Sequence, residues 1–159
     1  MNKLRPVAES GFDEQFYNPL MYSQAALLEE KQAHKLYFND PLGFANNCLD
    51  CNLANHQTDI LQQLPAHRRI SLRGPHGLGK TALMAVIILW FAVTRDMAGI
   101  DWKIPTTASV WRQLSNFLWP EIHKWVRAMR WERIGRKPFK ATELLSLNLK
   151  LRHGEAFAL

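Results

Sequence analysis

One octapeptide in the middle of the chain restricts the possible folds more than any other feature. Residues 74–81 read Gly-Pro-His-Gly-Leu-Gly-Lys-Thr, which fits the pattern G-x-x-x-x-G-K-[ST] at every fixed position. A short β-compatible run, 69–73, precedes it, and an unbroken apolar stretch, 82–93, follows it. A strand, a glycine-rich loop and a helix in this order predict an α/β fold of the P-loop class.

The residue types in this loop suit a polyphosphate. Glycines let successive backbone N–H groups turn toward one anion, and the start of the next helix adds a positive dipole end. Lys80 would place a point charge on the β- and γ-phosphates, and the Thr81 hydroxyl is a hard oxygen ligand for Mg²⁺. We therefore predict that ATP and Mg²⁺ bind here, in contact with Gly74, Pro75, His76, Gly77, Leu78, Gly79, Lys80 and Thr81.

The acidic residues that hydrolysis requires are harder to find. An ATPase of this class uses an Asp for Mg²⁺ and a neighbouring Glu that orients water, commonly after a run of about four apolar residues. No acidic residue after the loop follows such a run or forms an Asp-Glu pair; they are Asp96, Asp101, Glu121, Glu132, Glu143 and Glu155. Either the chain ends before the hydrolytic acids, or it binds nucleotide without efficient turnover.

The remaining sequence predicts short helices and a few strands. We expect a flexible arm over 1–18, and a turn at 39–41. The predicted helices cover 19–38, 44–53, 59–64, 80–95 and 108–119, with a continuation over 120–130. Thr107 or Ser109 would cap the helix over 108–119. The predicted strands are 102–105, 145–151 and 155–159, the last two separated by a turn at His153-Gly154.

Basic residues concentrate in the second half of the chain. Residues 1–70 carry a net charge of −2 and residues 71–159 a net charge of +8, which together give +6. The segment 124–140 contains seven Lys or Arg residues and one acid, Glu132. Two interpretations stand beside each other: this segment contacts an anionic partner such as DNA, or it is a solvated helix face.

The cysteines and the apolar segments bear on the compartment. Cys48 and Cys51 form a single C-x-x-C with only His56 nearby, so we expect reduced, free thiols in an apolar patch, not a zinc or redox site. The N-terminus lacks the apolar stretch of a signal peptide, and 82–93 is shorter than the roughly 20 residues of a membrane span. These features predict a cytoplasmic protein without a membrane partner.

Several segments together resemble the large terminase subunits of tailed bacteriophages, the ATPases that pump DNA into preformed capsids. The similarity runs from about residue 40 to the C-terminus, and its most specific block is 106–122, with spaced aromatic residues. The segments that carry it are 73–81, 89–92, 94–96, 105–108, 110–114 and 117–122. The resemblance implies a RecA-like parallel-sheet core with helices on both faces, incomplete at its C-terminal side and occupying 40–159. An N-terminal arm and helix (1–39) would precede it.

The resemblance also implies roles for individual residues. Gln57, seventeen residues before Gly74, resembles the glutamine that reads adenine; the alternative is a surface glutamine. His76 occupies the position of an arginine that many terminases carry, and Arg73 would supply that catalytic charge unless it is a surface residue. Thr106 and Thr107 match a segment between the ATP and DNA contacts, or they simply cap a helix.

What the resemblance implies beyond this chain concerns partners and completeness. Double-stranded DNA, a terminase small subunit, a capsid portal and assembly into a homo-oligomer in the cytoplasm of a bacterial host are expected. The Asp-Glu pair and the nuclease domain of a complete terminase have no counterpart here, so we expect a truncated gene product or a prophage remnant. The alternatives are another P-loop DNA-dependent ATPase, helicase-like or a loader, and a non-hydrolysing interaction module with a vestigial P-loop.

Overall fold

The computed structural model describes Gln32 and residues 35–159, and this part of the chain begins with short helices. Residues 35–37 are helical, and two helices follow, α1 (Pro41–Cys48) and α2 (Asn55–Gln63). Both begin earlier than the sequence predicts. Asp40 caps α1 by accepting a hydrogen bond from the Gly43 amide at 2.8 Å, and α2 begins after Ala54. The predicted arm over 1–18 and most of the predicted helix 19–38 lie outside the described residues.

The long central helix is α3 (Lys80–Met97), and it confirms the helix predicted over 80–95. It is apolar on almost every side, which is the pattern of a helix surrounded by other elements. Its buried side chains include Leu83, Val86, Ile88, Leu89, Trp90 and Val93. These residues form the middle of the hydrophobic core, so the loop that precedes Lys80 is attached to the most deeply buried element of the described chain.

Within the described residues the strands form one four-stranded sheet. In chain order the strands are β1 (Trp102–Thr106), β2 (Leu144–Leu145), β3 (Asn148–Lys150) and β4 (Gly154–Ala158). Their order in the sheet is β1-β4-β3-β2; the β1–β4 pair is parallel and the other two pairs are antiparallel. The sheet is therefore mixed. The strands predicted over 102–105 and 155–159 are confirmed.

Two features of this sheet concern its sequence: a hairpin in place of one predicted strand, and a proline inside a strand. The single strand predicted over 145–151 is wrong, because the chain reverses at Ser146-Leu147. Leu145 lies in one arm of a hairpin and Leu149 in the other. Pro105 lies inside β1, where proline is tolerated because β1 is an edge strand and one of its sides has no ladder to complete.

The strand predicted before the loop is absent from the structure. Residues 69–73 are irregular and pair with no strand in the part of the chain that is described. Ile70 is exposed, and only Leu72 packs against the core. A strand is stable when a partner strand and a covered face are available. In the described structure this segment pairs with no strand, and only Leu72 is covered.

Between β1 and β2 the chain is helical. α4 (Trp111–Gln113) continues through a π-helical turn (Leu114–Leu118) into α5 (Trp119–Ala128), and a short helix α6 (Trp131–Ile134) follows. The continuation after Pro120 is confirmed. The capping prediction for Thr107 or Ser109 is wrong, because the residue that precedes α4 is Val110, which makes no side-chain capping bond.

A buried ion pair connects α3 to the sheet. The Asp96 carboxylate accepts a hydrogen bond from the Arg136 guanidinium at 3.0 Å and another from the backbone N–H of His153 at 2.7 Å. Arg136 also reaches Glu143 at 3.5 Å. The pair thus joins the end of α3, the segment after α6 and the turn before β4.

In the described part of the chain, no helix is long and apolar enough to cross a membrane.

Candidate nucleotide site

The glycine-rich loop has the backbone conformation that its glycines permit. Gly77 has a φ of 86° and Gly79 a φ of 69°, both in the left-handed region that side chains with a Cβ disfavour. Gly79 immediately precedes α3, so the unpaired N–H groups of the first helical turn open toward the loop. Local conformation and helix end together provide the positive partial charges of an anion site.

A cavity of about 380 Å³ lies over this loop. Seven consecutive residues, 76–82, line it, and Glu121 of α5 closes it from the other side. This volume falls within the range of roughly 300–1,000 Å³ that small-ligand sites occupy. His76 lines the cavity, whereas Arg73 is exposed outside it. The position that carries an arginine in many terminases is therefore the one nearer to the cavity.

The Lys80 ammonium is held over the loop by the loop itself. It donates hydrogen bonds to the carbonyl oxygens of Gly74 at 2.9 Å and Pro75 at 2.6 Å. A lysine ammonium has three N–H donors, so one remains for an incoming oxygen. The structure therefore brings the predicted cation to the glycine-rich turn.

Thr81 lies in the first turn of α3 and is exposed to the cavity. Its hydroxyl and the Glu121 carboxylate border the same space, and both are hard oxygen donors of the kind that Mg²⁺ prefers. The described residues contain no group of three or more His, Cys, Asp or Glu side chains that could hold a metal ion by themselves. This donor set fits Mg²⁺ bound jointly with phosphates and water, the usual arrangement for this ion.

A second cavity of about 430 Å³ adjoins Thr81 and is lined mainly by α5. Glu121, Lys124 and Arg127 lie at intervals of three residues and border it, together with Asn116, Phe117 and Pro120. Lys124 is paired with Glu121 at 3.0 Å. Sequence reasoning missed this face, although the three-residue spacing of charges in a predicted helix was a usable signal.

Gln57 lies behind the loop, not on its open side. Its side-chain oxygen accepts a hydrogen bond from the Ala54 N–H at 3.0 Å, and its side-chain nitrogen donates to the Gly79 carbonyl at 3.3 Å. The neighbouring His56 ring contacts the Leu78 carbonyl at 3.1 Å. The structure thus brings Gln57 close to the loop, as the sequence predicts for a site residue, but its amide is hydrogen-bonded to backbone at both ends.

The basic segment 124–140 is not a uniform surface patch. Arg136 is partly buried and pairs with the buried Asp96, and Arg130 forms an ion pair with Asp50. Four of the other basic side chains are exposed and make no ion pair with a described residue: Arg127, Arg133, Lys137 and Lys140. The number of charges available to an anionic partner is therefore smaller than the sequence suggests.

The remaining candidates have structural partners. The Thr106 hydroxyl donates to the Phe157 carbonyl at 2.9 Å and accepts from the Trp119 indole at 3.3 Å, which joins β1, β4 and α5. Cys48 and Cys51 are free thiols, as expected. Burial raises the pKa of Cys48 to about 11 and that of Cys51 to about 12, so neither is activated as a nucleophile.

No protein-family model, curated protein or solved structure matches this chain.

Proposed function

We propose that this chain binds Mg-ATP at the loop 74–81 and represents the N-terminal part of a DNA-packaging ATPase that resembles the phage terminase large subunit. The observation that carries the proposal is the position of the Lys80 ammonium, fixed by two loop carbonyls beside a cavity at the start of α3. Such a lysine beside a helix N-terminus suits a polyphosphate. The P-loop class of the fold is part of the same proposal.

In this proposal different groups of the loop and of α3 contact the phosphates and the metal ion. Backbone N–H groups of the loop and the first turn of α3 bind the phosphates, and Lys80 neutralises their charge. Thr81 would supply one oxygen ligand to Mg²⁺, and the bound ion would neutralise phosphate charge. His76 lines the same cavity and could contact a bound nucleotide. Arg73 is an exposed cation one residue before the loop and outside the lining of the cavity.

Double-stranded DNA is the proposed second ligand, bound through the exposed basic side chains of the segment 124–140. Their positive charge in a half-chain with a net charge of +8 supports an anionic polymer as partner. From the terminase resemblance we further propose that the chain assembles into a homo-oligomer in the cytoplasm of a bacterial host, with a terminase small subunit and a capsid portal as partners. An alternative is a nucleotide-binding remnant with little turnover, which the lack of an Asp-Glu pair after the loop favours.

The test is nucleotide binding by the purified chain. Mg-ATP should bind, measured by titration calorimetry, and Lys80→Ala should weaken binding about 10- to 150-fold, because hydrogen bonds to charged groups contribute roughly 1.5–3 kcal/mol each. Lys150→Ala, which removes an exposed lysine from β3, is the matched control and should bind like the parent. Absence of binding by the parent chain at millimolar Mg-ATP would refute the proposal.

A further inference from the structure

Two adjacent side chains of α2 hold the glycine-rich loop from the side opposite its cavity. His56 contacts the carbonyl oxygen of Leu78 at 3.1 Å, and Gln57 donates to the carbonyl oxygen of Gly79 at 3.3 Å. These two carbonyls are consecutive in the chain, and the contacts span 22 residues of sequence. Since a carbonyl only accepts, the nitrogen of His56 in this contact must be a donor.

The chemistry of the peptide unit connects these contacts to the anion site. In a trans peptide, the C=O of one residue and the N–H of the next point in opposite directions. A Leu78 carbonyl that points toward α2 therefore directs the Gly79 N–H away from α2. The Gly79 carbonyl accepts both the Gln57 amide and the Leu83 N–H of α3, the latter at 3.0 Å, so Gln57 supports an orientation in which the Lys80 N–H points back along the helix axis toward the loop. The cavity lies on that other side, because its lining includes 76–82 and Glu121 but neither His56 nor Gln57.

The Gln57 amide is committed to this arrangement. It is 9% exposed, and its oxygen accepts the Ala54 N–H while its nitrogen donates to Gly79. Gly79 leaves room for it, since a Cβ at that position would lie 2.6 Å from the Gln57 nitrogen. An amide buried and bonded at both ends is poorly placed to read a base.

We propose that His56 and Gln57 are positioning residues that set the peptide orientation of the loop for phosphate binding, and that Gln57 does not select adenine. This inference rests on the proposed function of the loop as a triphosphate site. It makes a distinct statement about specificity: the contribution of Gln57 is the same for every ligand that carries a polyphosphate, with or without a base.

The variant that isolates the contact to the loop is Gln57→Glu. A glutamate keeps an oxygen for the Ala54 N–H but replaces the donor to the Gly79 carbonyl by a second, repelling oxygen. Affinities for Mg-ATP, Mg-GTP and Mg-tripolyphosphate should fall by the same factor, about 3- to 10-fold, the size expected for one lost hydrogen bond of roughly 0.5–1.5 kcal/mol. Gln62→Glu makes the same charge change on an exposed position of α2 and should bind all three like the parent.

A second measurement on the ligand-free chain separates this inference from the proposed function. In ¹⁵N–¹H spectra, Gln57→Glu should shift the amide signals of Gly79 and Lys80, and Gln62→Glu should leave them in place. Gln57→Met, an uncharged side chain of similar length, should weaken all three ligands equally with a melting temperature close to that of the parent, which a general loss of structure would not give.

The inference is overturned if Gln57→Glu weakens Mg-ATP but leaves Mg-tripolyphosphate and Mg-GTP unchanged, since this selectivity is that of an adenine contact. It is also overturned if neither Gln57 variant changes any affinity or either amide signal. A parent chain that binds none of the three ligands refutes the proposed function and, with it, the role in phosphate binding, whereas shifted amide signals would still support the hydrogen bond to the loop.

Discussion

Replacement of Arg136 by methionine should lower the free energy of unfolding more than replacement of any exposed arginine nearby. The side chain is 15% exposed and the partner Asp96 carboxylate 5% exposed, so water screens the pair poorly. Methionine retains most of the aliphatic volume but leaves the Asp96 charge with one remaining hydrogen bond, from the His153 N–H. Removing one partner of a buried pair costs about 3–5 kcal/mol. Because the Arg136 side chain is 15% exposed and its contact to Glu143 is longer, we expect the free energy of unfolding to fall by about 3 kcal/mol, the lower end of this range.

The assay is urea unfolding followed by tryptophan fluorescence, with Arg133→Met as the control because Arg133 is exposed on α6. The control should change the free energy of unfolding by less than about 0.5 kcal/mol. In a double-mutant cycle, Asp96→Asn should cost less in the Arg136→Met background than in the parent, because the neutral amide removes the uncompensated charge. Equal losses for Arg136→Met and Arg133→Met would refute the view that this pair joins α3 to the sheet.

The remaining predictions concern DNA and the thiols. Neutralising Arg127, Arg133 and Lys137 together should make the negative slope of log affinity for duplex DNA against log salt concentration shallower by up to about 3, since each phosphate contact contributes roughly 0.9. An unchanged slope in filter binding would exclude these residues from a DNA surface. The thiols of Cys48 and Cys51 should react with iodoacetamide at pH 8 far more slowly in the folded chain than in urea, because burial raises the pKa of both, to about 11 and about 12. As pH rises above roughly 8.5, the thiols of the unfolded chain lose their protons before those of the folded chain, so the free energy of unfolding should fall between about pH 8.5 and pH 11. Equal alkylation rates in the folded and unfolded chain, or a free energy of unfolding that rises over this pH interval, would contradict the assigned burial.

The parts that sequence reasoning predicted well are those whose signal is local. α3 follows from the uninterrupted apolar run 82–93 directly after the loop, and the loop follows from a pattern of eight consecutive residues. The strand β1 was recognisable although it contains Pro105, because its flanking residues favour extended backbone and an edge position accepts proline. In each of these cases the residues that determine the conformation are adjacent in the chain.

The parts that were missed depend on residues far apart in sequence. Arg136 counted as one more surface charge, because only the folded chain shows Asp96 40 residues away beside it. The irregular 69–73 segment has the composition of a strand, yet strand formation requires a partner, and composition does not supply one. The position of α2 behind the loop follows from contacts across 22 residues, which no periodicity in either segment reveals.

The uninterrupted backbone of α3 has a mechanical consequence. It contains neither glycine nor proline across its 18 residues, so it has none of the usual kink sites, and at 1.5 Å per residue it is a stiff rod about 27 Å long. The loop is joined to one end and the Asp96 pair to the other, so a tilt of a few degrees at the loop displaces the far end by roughly 2 Å. A tilt of α3 at the glycine-rich turn would therefore also move Asp96 and its contact to the turn before β4.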